Sequence, residues 1–282
     1  MTVTIIGILA AMSFGALQMA REAARETATK STIAKLNNVV MRRYESYATR
    51  RVPIRIPPGM LPRLAAEIRL AAIRDLMRME MPERYNDIIS DPTPLPYLPI
   101  GSNQLPEPAL HRLYRDRYNN TPQNPDPTKS PAHAECLYML ISIGSPEAME
   151  QFNQSEIADT DGYGGPEFVD GWGKPIYFLR WAPGCSLYSD IQPAEPINSH
   201  DPFDTRNVDS AGYKLIPLIF SFGRDGVANV NVGHRVNFFD STTSLAPTSI
   251  CGFGLYQNNG APEPAGSTGA FGNITNHHIE QR

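Results

Sequence analysis

Hydrophobic and polar positions divide the first 51 residues into two halves. Residues 2–20 carry no charged side chain and show no polar face, so they predict a helix that is apolar all round. At about 1.5 Å per residue, its length is close to the hydrocarbon thickness of a bilayer. Further along, one apolar stripe recurs at steps of three and four: Ile33, Leu36, Val40, Tyr44 and Tyr47. We predict one helix from residue 4 to about residue 50, ended by the prolines that follow.

The same helical spacing returns between residues 61 and 80. Its apolar positions are Leu61, Leu64, Ile68, Ala72, Leu76 and Met79. Pro62 suits a first helical position, and Pro82 closes the segment. Residues 91–131 are dense in Pro and Asn and predict a long, mostly irregular excursion that packs on the rest of the chain. Residues 132–152 predict helix again, with a break at "GSPEAM".

Branched and aromatic residues dominate three later segments. They are "PIYFLRW" (175–181), "YKLIPLIFSFG" (213–223) and "VANVNVGHRVNFF" (227–239), and each predicts a strand. We expect the Gly/Asn/Pro-rich segment from Cys251 onward to be mobile. The fold class is therefore α+β: a long N-terminal transmembrane and stalk helix, residues 1–51, packs on a small antiparallel sheet. Residues 52–282 form the head, with a large helical and Pro-rich insertion at about 52–150.

Charge is distributed unevenly along the chain. Residues 21–51 hold eight Lys and Arg against three Glu, a net charge of +5. The whole chain carries −4, so residues 52–282 carry −9. A basic stalk under an acidic head argues against nucleic acid as a partner of the head. An ordinary solvated helix face and an acidic surface explain the same distribution.

Motifs for catalysis are absent from the sequence. There is no G-x-S-x-G, no P-loop, no G-x-G-x-x-G and no H-E-x-x-H, so we predict no enzyme. The three cysteines, Cys136, Cys185 and Cys251, lack C-x-x-C spacing, which excludes a zinc ribbon or a thioredoxin motif. A bridge between Cys185 and Cys251 and free thiols both remain open.

One loop, "DTDGYGGPEFVD", has the character of a calcium site. Calcium loops need oxygen ligands on alternate residues, a glycine at the turn and a closing carboxylate. The first, third, sixth and twelfth places of a twelve-residue loop are taken by Asp159, Asp161, Gly164 and Asp170, and Glu167 adds a carboxylate. Tyr163 occupies the fifth place, where a side-chain oxygen is usual. An Asp/Gly-rich turn before a strand is the alternative interpretation.

The opening stretch resembles a known family. "TIIGILAAM" (4–12) and the helix after it are similar to the N-terminal helix of type IV pilins and type II secretion pseudopilins. Two further fragments resemble the major pseudopilin: "DGWGKPIYF" (170–178) matches its D-x-W-G-x-P segment, and "FSFGRDGV" (220–227) matches its S-x-G-x-D-G segment. Residues 52–150 align with nothing in the family. The resemblance is close over about the first 50 residues.

The chain departs from the family at its start. Family members begin with a basic leader, a glycine cleaved by prepilin peptidase, an aromatic residue and a glutamate that registers subunits. None of these precedes "IIGILAA" here, so we expect the sequence to begin inside the helix. A misassigned start codon or a truncation explains this. The methylated N-terminus and the cleavage site of the family have no counterpart in these residues.

The resemblance implies a structural protein. It implies a filament subunit held in the inner membrane by a single-pass helix, with residues 2–20 against lipid and the head in the periplasm or outside the cell. Its partners would be copies of itself, other pseudopilins and inner-membrane components that secrete protein. A membrane-anchored extracytoplasmic ligand-binding module is the alternative, and an anchored hydrolase is a more remote one.

The resemblance also implies a second calcium position. In major pseudopilins the S-x-G-x-D-G segment opens a loop that binds Ca²⁺, and Asp225 matches its first acidic place. The downstream acidic pair is replaced by Asn229 and Asn231. If calcium binds, we expect it at residues 159–170 rather than at Asp225, with sub-millimolar affinity at best.

Overall fold

The computed structural model describes most of the chain. The described residues are 2–122, 131–182, 200–209, 214–224, 226 and 274–278. In the first helix, the side chains of residues 4, 5 and 10 onward are described.

Five α-helices occupy the described residues up to 142. They are α1 (Thr2–Ser46), α2 (Pro62–Glu80), α3 (Tyr85–Ile89), α4 (Ala109–Asn120) and α5 (Ala132–Ser142). Short 3₁₀ helices follow at Pro146–Gln151, Gln154–Glu156 and Asn276–His278. The predicted long helix is confirmed and ends at Ser46. The predicted start of α2 at Pro62 is also confirmed.

Two small antiparallel sheets complete the described fold. The first pairs β1 (Ile157–Ala158) with β2 (Glu167–Phe168). The second has the order β3 (Tyr177–Ala182), β4 (Ile216–Ser221), β5 (Ile274–Thr275). The α+β class is confirmed, and two of the predicted strands are β3 and β4, paired antiparallel. The third predicted strand, residues 227–239, lies outside the described residues.

The apolar stripe of α1 packs on the three-stranded sheet. All five predicted stripe residues, Ile33, Leu36, Val40, Tyr44 and Tyr47, are at most 4% exposed. The helix contacts β4 and β5, and the Tyr44 hydroxyl donates a hydrogen bond to the Leu215 carbonyl at 2.6 Å. Tyr47 follows the last residue of α1, and its hydroxyl donates to Glu80 of α2. Burying such side chains stabilises the fold by about 1.5–3 kcal/mol each. The predicted packing of the stalk on the sheet is therefore confirmed.

The segment predicted as an insertion shares the core of the head. Apolar residues of α2 and α5 join the stripe of α1 in one hydrophobic cluster. The second half of α2 is buried on its charged side as well. There Arg74 bonds Asp201 and Asp209, both buried. These ion pairs allow a charged helix face to be covered by protein.

The structure corrects or refines three expectations. Leu61, one of the apolar positions predicted for α2, precedes the first helical residue and is 67% exposed. The described part of the excursion at 91–131 is mostly irregular as predicted, but it also contains a helix, α4, whose Tyr114 is fully buried. The end of the chain was expected to be mobile, yet β5 pairs with β4 and His277 is buried against the Pro217 carbonyl.

Candidate functional site

A turn between β1 and β2 carries two of the acidic residues predicted as calcium ligands, Asp159 and Asp161. The Asp159 carboxylate accepts the backbone N–H of Gly162 at 2.7 Å and of Gly164 at 2.8 Å. Both glycines have positive φ, 79° and 93°, a conformation that glycine adopts without a steric penalty. Asp159 therefore shapes the turn. The turn returns the chain so that Glu167 pairs with Ala158.

Glu135 of α5 brings a third carboxylate to this turn. Carboxylate oxygens of Glu135, Asp161 and Glu167 lie within 4.8 Å of one another. Gly165 makes the approach possible, because a Cβ at this position would collide with the Glu135 carboxylate. The Tyr85 hydroxyl donates a hydrogen bond to Glu135 from the other side. We call Glu135, Asp161 and Glu167 the acidic cluster.

Burial and neighbouring negative charges raise the pKa values of two of these groups. Burial raises the pKa of Glu135 to about 7, the hydrogen bond from Tyr85 opposes the rise, and the neighbouring aspartates add to it. Burial likewise raises the pKa of Glu167 to about 8, although the hydrogen bond from the Thr160 N–H lowers it. The second oxygen of Glu167, Oε1, is buried and accepts no hydrogen bond from any described residue.

This donor set fits a hard divalent cation. Calcium takes oxygen ligands, and carboxylates are its main protein ligands. A buried carboxylate oxygen without a hydrogen-bond donor lacks the compensation that buried polar atoms usually have. A cation at the acidic cluster would supply that compensation and would favour the ionised carboxyls. Such an ion would join α5 to the β1–β2 turn and so would act on stability.

The structure separates the predicted ligands. Asp161 and Glu167 belong to the acidic cluster. Asp170 lies elsewhere, where its carboxylate accepts the N–H groups of Trp172 and Lys174 and the Ser221 hydroxyl. Asp225 lies outside the described residues. Calcium binding at any of these residues stays a prediction.

Sequence reasoning missed Glu135. It lies 24 positions before Asp159 in "AHAECLYMLIS", on a helix that packs against β2 and β3. One signal was available: Glu135 is the only acidic residue in an otherwise largely apolar helix. A lone buried carboxylate on an apolar helix requires a partner, whether a hydrogen-bond donor or a cation.

The first half of α1 forms a second candidate surface. Residues 10–21 are all exposed, and Thr29 is the first buried one among the side chains of the helix that the structure describes. The exposed side chains include five large apolar ones, which are Ile5, Met12, Phe14, Leu17 and Met19. From residue 10 to residue 28 the helix rises about 28 Å without burying a side chain. Contiguous exposed apolar surface of this kind marks a contact site.

Gly171 and Trp172 of the head contact α1 at the point where the helix leaves the head. The Gly171 N–H donates to the Thr29 hydroxyl at 2.9 Å, and the Trp172 indole N–H donates to Glu22 at 3.0 Å. A Cβ at Gly171 would collide with the Arg25 backbone, so only glycine allows this approach. The exposed half of α1 therefore begins at a defined point.

Within the described residues, no helix has the length and apolar character that crossing a membrane requires. Cys136 is a buried free thiol, and Cys185 and Cys251 lie outside the described residues, so the proposed bridge stays open. Comparison of the chain with protein-family models, with curated proteins and with solved structures gives no match.

Proposed function

We propose that the chain is a structural subunit of a type II secretion pseudopilus or a type IV pilus-like filament. The observation that carries the proposal is the exposed apolar half of α1, which projects from a head that buries the other half. The resemblance of residues 4–12 to pilin helices gives this surface a specific use, the bundling of helices from successive subunits. The mechanism is packing rather than catalysis.

The energetics of α1 support self-association. Each large apolar side chain that moves from water into a helix bundle contributes about 1.5–3 kcal/mol. Met12, Phe14, Leu17 and Met19 are between 48% and 76% exposed, so most of this free energy is available to an assembly. In the proposed filament the same helix anchors each subunit in the inner membrane before assembly. The head faces the periplasm or the exterior, where other pseudopilins and secretion components contact it.

Cysteine cross-linking tests the assembly. Leu17→Cys is compared with Leu113→Cys, because both leucines lie on helices and are 48% and 50% exposed. The full chain with its native cysteines sets the baseline under the same oxidant. We expect disulfide-linked dimers above the baseline for Leu17→Cys alone. Equal yields from the two variants would refute bundling through α1.

A charge placed on the same surface tests the membrane step. Leu17→Asp should lose co-flotation with phospholipid vesicles, whereas Leu113→Asp should keep it, because an aspartate in hydrocarbon costs several kcal/mol. Both variants should unfold as the parent chain does, since both positions are exposed. A parent chain that neither floats with vesicles nor self-associates would contradict the proposal as a whole.

A further inference from the structure

A cleft of about 660 Å³ lies where the end of α1, the following segment, α2 and the turn at residues 203–206 meet. The segment after α1 is neither helix nor strand, and its burial alternates: residues 52, 54 and 56 are half-buried, and residues 51, 53, 55 and 57 are exposed. This alternation turns one face of the segment inward. The larger aliphatic side chains and the phenylalanine in the lining of the cleft are Val52, Ile54, Ile56, Leu70, Ile73 and Phe203.

Four arginines line the same cleft, in a chain whose net charge is −4. They are Arg50, Arg51, Arg69 and Arg206. Arg50 is held by a two-pronged ion pair with Glu80, which also accepts the Tyr47 hydroxyl. The other three arginines are exposed, and none forms an ion pair with a described residue. Their charges therefore remain available to a ligand.

The one acidic residue in the lining is already engaged. Asp204 is 2% exposed, and its carboxylate accepts the backbone N–H groups of Val208 and Asp209 at 3.1 and 2.8 Å. It shapes the turn that carries Arg206 and Phe203. Since like charges gathered in one concave site repel each other, a bound anion would lower the electrostatic free energy of the cleft.

We infer that this cleft binds a small organic polyanion, a molecule with two or more anionic groups on an apolar or aromatic body. The guanidinium fork recognises carboxylates and phosphates through paired hydrogen bonds. The volume is in the range of small-molecule sites, and the aliphatic lining with Phe203 suits an apolar body. Pro53 and Pro57 have no backbone N–H, which disfavours the pairing of a strand with this segment, so side chains provide the recognition.

Isothermal titration of the full chain with 2,6-naphthalenedicarboxylate tests the inference. Succinate carries two carboxylates without an aromatic body, and 2,6-dihydroxynaphthalene carries the body without charge. We expect the naphthalene dicarboxylate to bind more tightly than either, with an affinity that falls as salt is added. Equal binding of the neutral diol, or no saturable binding at millimolar probe, would overturn the inference.

Paired variants locate the binding. Arg69→Gln with Arg206→Gln should weaken it roughly tenfold or more, because hydrogen bonds to charged groups are lost. Arg42→Gln with Arg112→Gln removes two exposed arginines outside the cleft and should leave the affinity within about twofold. Equal effects of the two pairs would refute the site. The outcome is independent of the proposed assembly through the exposed half of α1, because Arg69 and Arg206 lie outside that helix.

Discussion

Calcium should raise the thermal stability of the full chain through the acidic cluster. At free calcium of ten to a hundred times the dissociation constant, a ligand that binds only the folded state stabilises it by about 1.4–2.7 kcal/mol. For a chain of this size, that corresponds to a rise in Tm of about 3–10 °C. The assay is thermal unfolding, followed by circular dichroism, with calcium titrated from the millimolar range until Tm stops rising, and with a chelator.

The effect should depend on pH with a definite sign. The pKa of Glu135 is raised to about 7 and that of Glu167 to about 8, against the ordinary value of 4.5. Without calcium, the folded state keeps protons that the unfolded chain has released, so stability falls as pH rises from about 4.5 to about 8. Calcium must displace those protons. The rise in Tm should therefore be larger near about pH 8 than near about pH 5.5.

Conservative variants separate the acidic cluster from other sites. Glu135→Gln and Glu167→Gln should each reduce both the calcium effect and the loss of stability between acid and neutral pH. Glu147→Gln is the matched control, because Glu147 is exposed on a 3₁₀ helix. No change in Tm with calcium at either pH would refute the site. A rise that survives Glu167→Gln but disappears in Asp225→Ala would also refute it and assign the ion to Asp225.

Three further predictions concern packing. In guanidinium titrations, Leu36→Ala should lower the free energy of unfolding by about 2–5 kcal/mol, because Leu36 is buried. Leu17→Ala on the same helix should change it by less than about 0.5 kcal/mol, and equal effects would contradict the assigned burial. Gly171→Val should cost about 1–3 kcal/mol, because its Cβ meets the Arg25 backbone, and an unchanged Tm would refute the contact. Arg74→Ala should cost about 3–5 kcal/mol, since it removes the guanidinium that bonds two buried aspartates, and near-neutral unfolding would refute that network.

Periodicity predicted the element in which burial follows one face. The stripe of α1 is such a case, because a helix on a core must repeat its apolar residues with its own period. β3 and β4 are buried on both faces along most of their length, so their branched and aromatic composition, rather than an alternation, predicted them. In α4, the packed side chains of Leu110, His111, Tyr114 and Tyr118 have helical spacing. The prediction missed this helix because Pro- and Asn-rich segments on both sides of it dominate residues 91–131.

The sequence pattern could not predict contacts between segments that lie far apart in the chain. β5 has two residues, Ile274 and Thr275, and exists because β4 offers it a partner. Glu135 joins Asp161 and Glu167 because α5 packs on β2. The acidic loop predicted the region of the candidate metal site, but the loop alone could not show that Asp159 bonds backbone amides while a helix supplies the third carboxylate.

The two head segments that resemble major pseudopilin motifs meet at one place. Asp170, from the first, accepts the hydroxyl of Ser221, from the second, and the next residue, Gly171, donates its N–H to Thr29 of α1. From residue 10 onward, Thr29 is also the first side chain of the helix to be buried. The Asp170 carboxylate thus joins the end of β4 to the turn that begins at Asp170. That turn also contacts α1 where the helix leaves the head. These residues therefore have a physical reason to occur together in any protein that projects a long helix from a sheet. If the chain is the filament subunit proposed above, this contact would give every subunit the same exit point for its helix, which bundling in register needs.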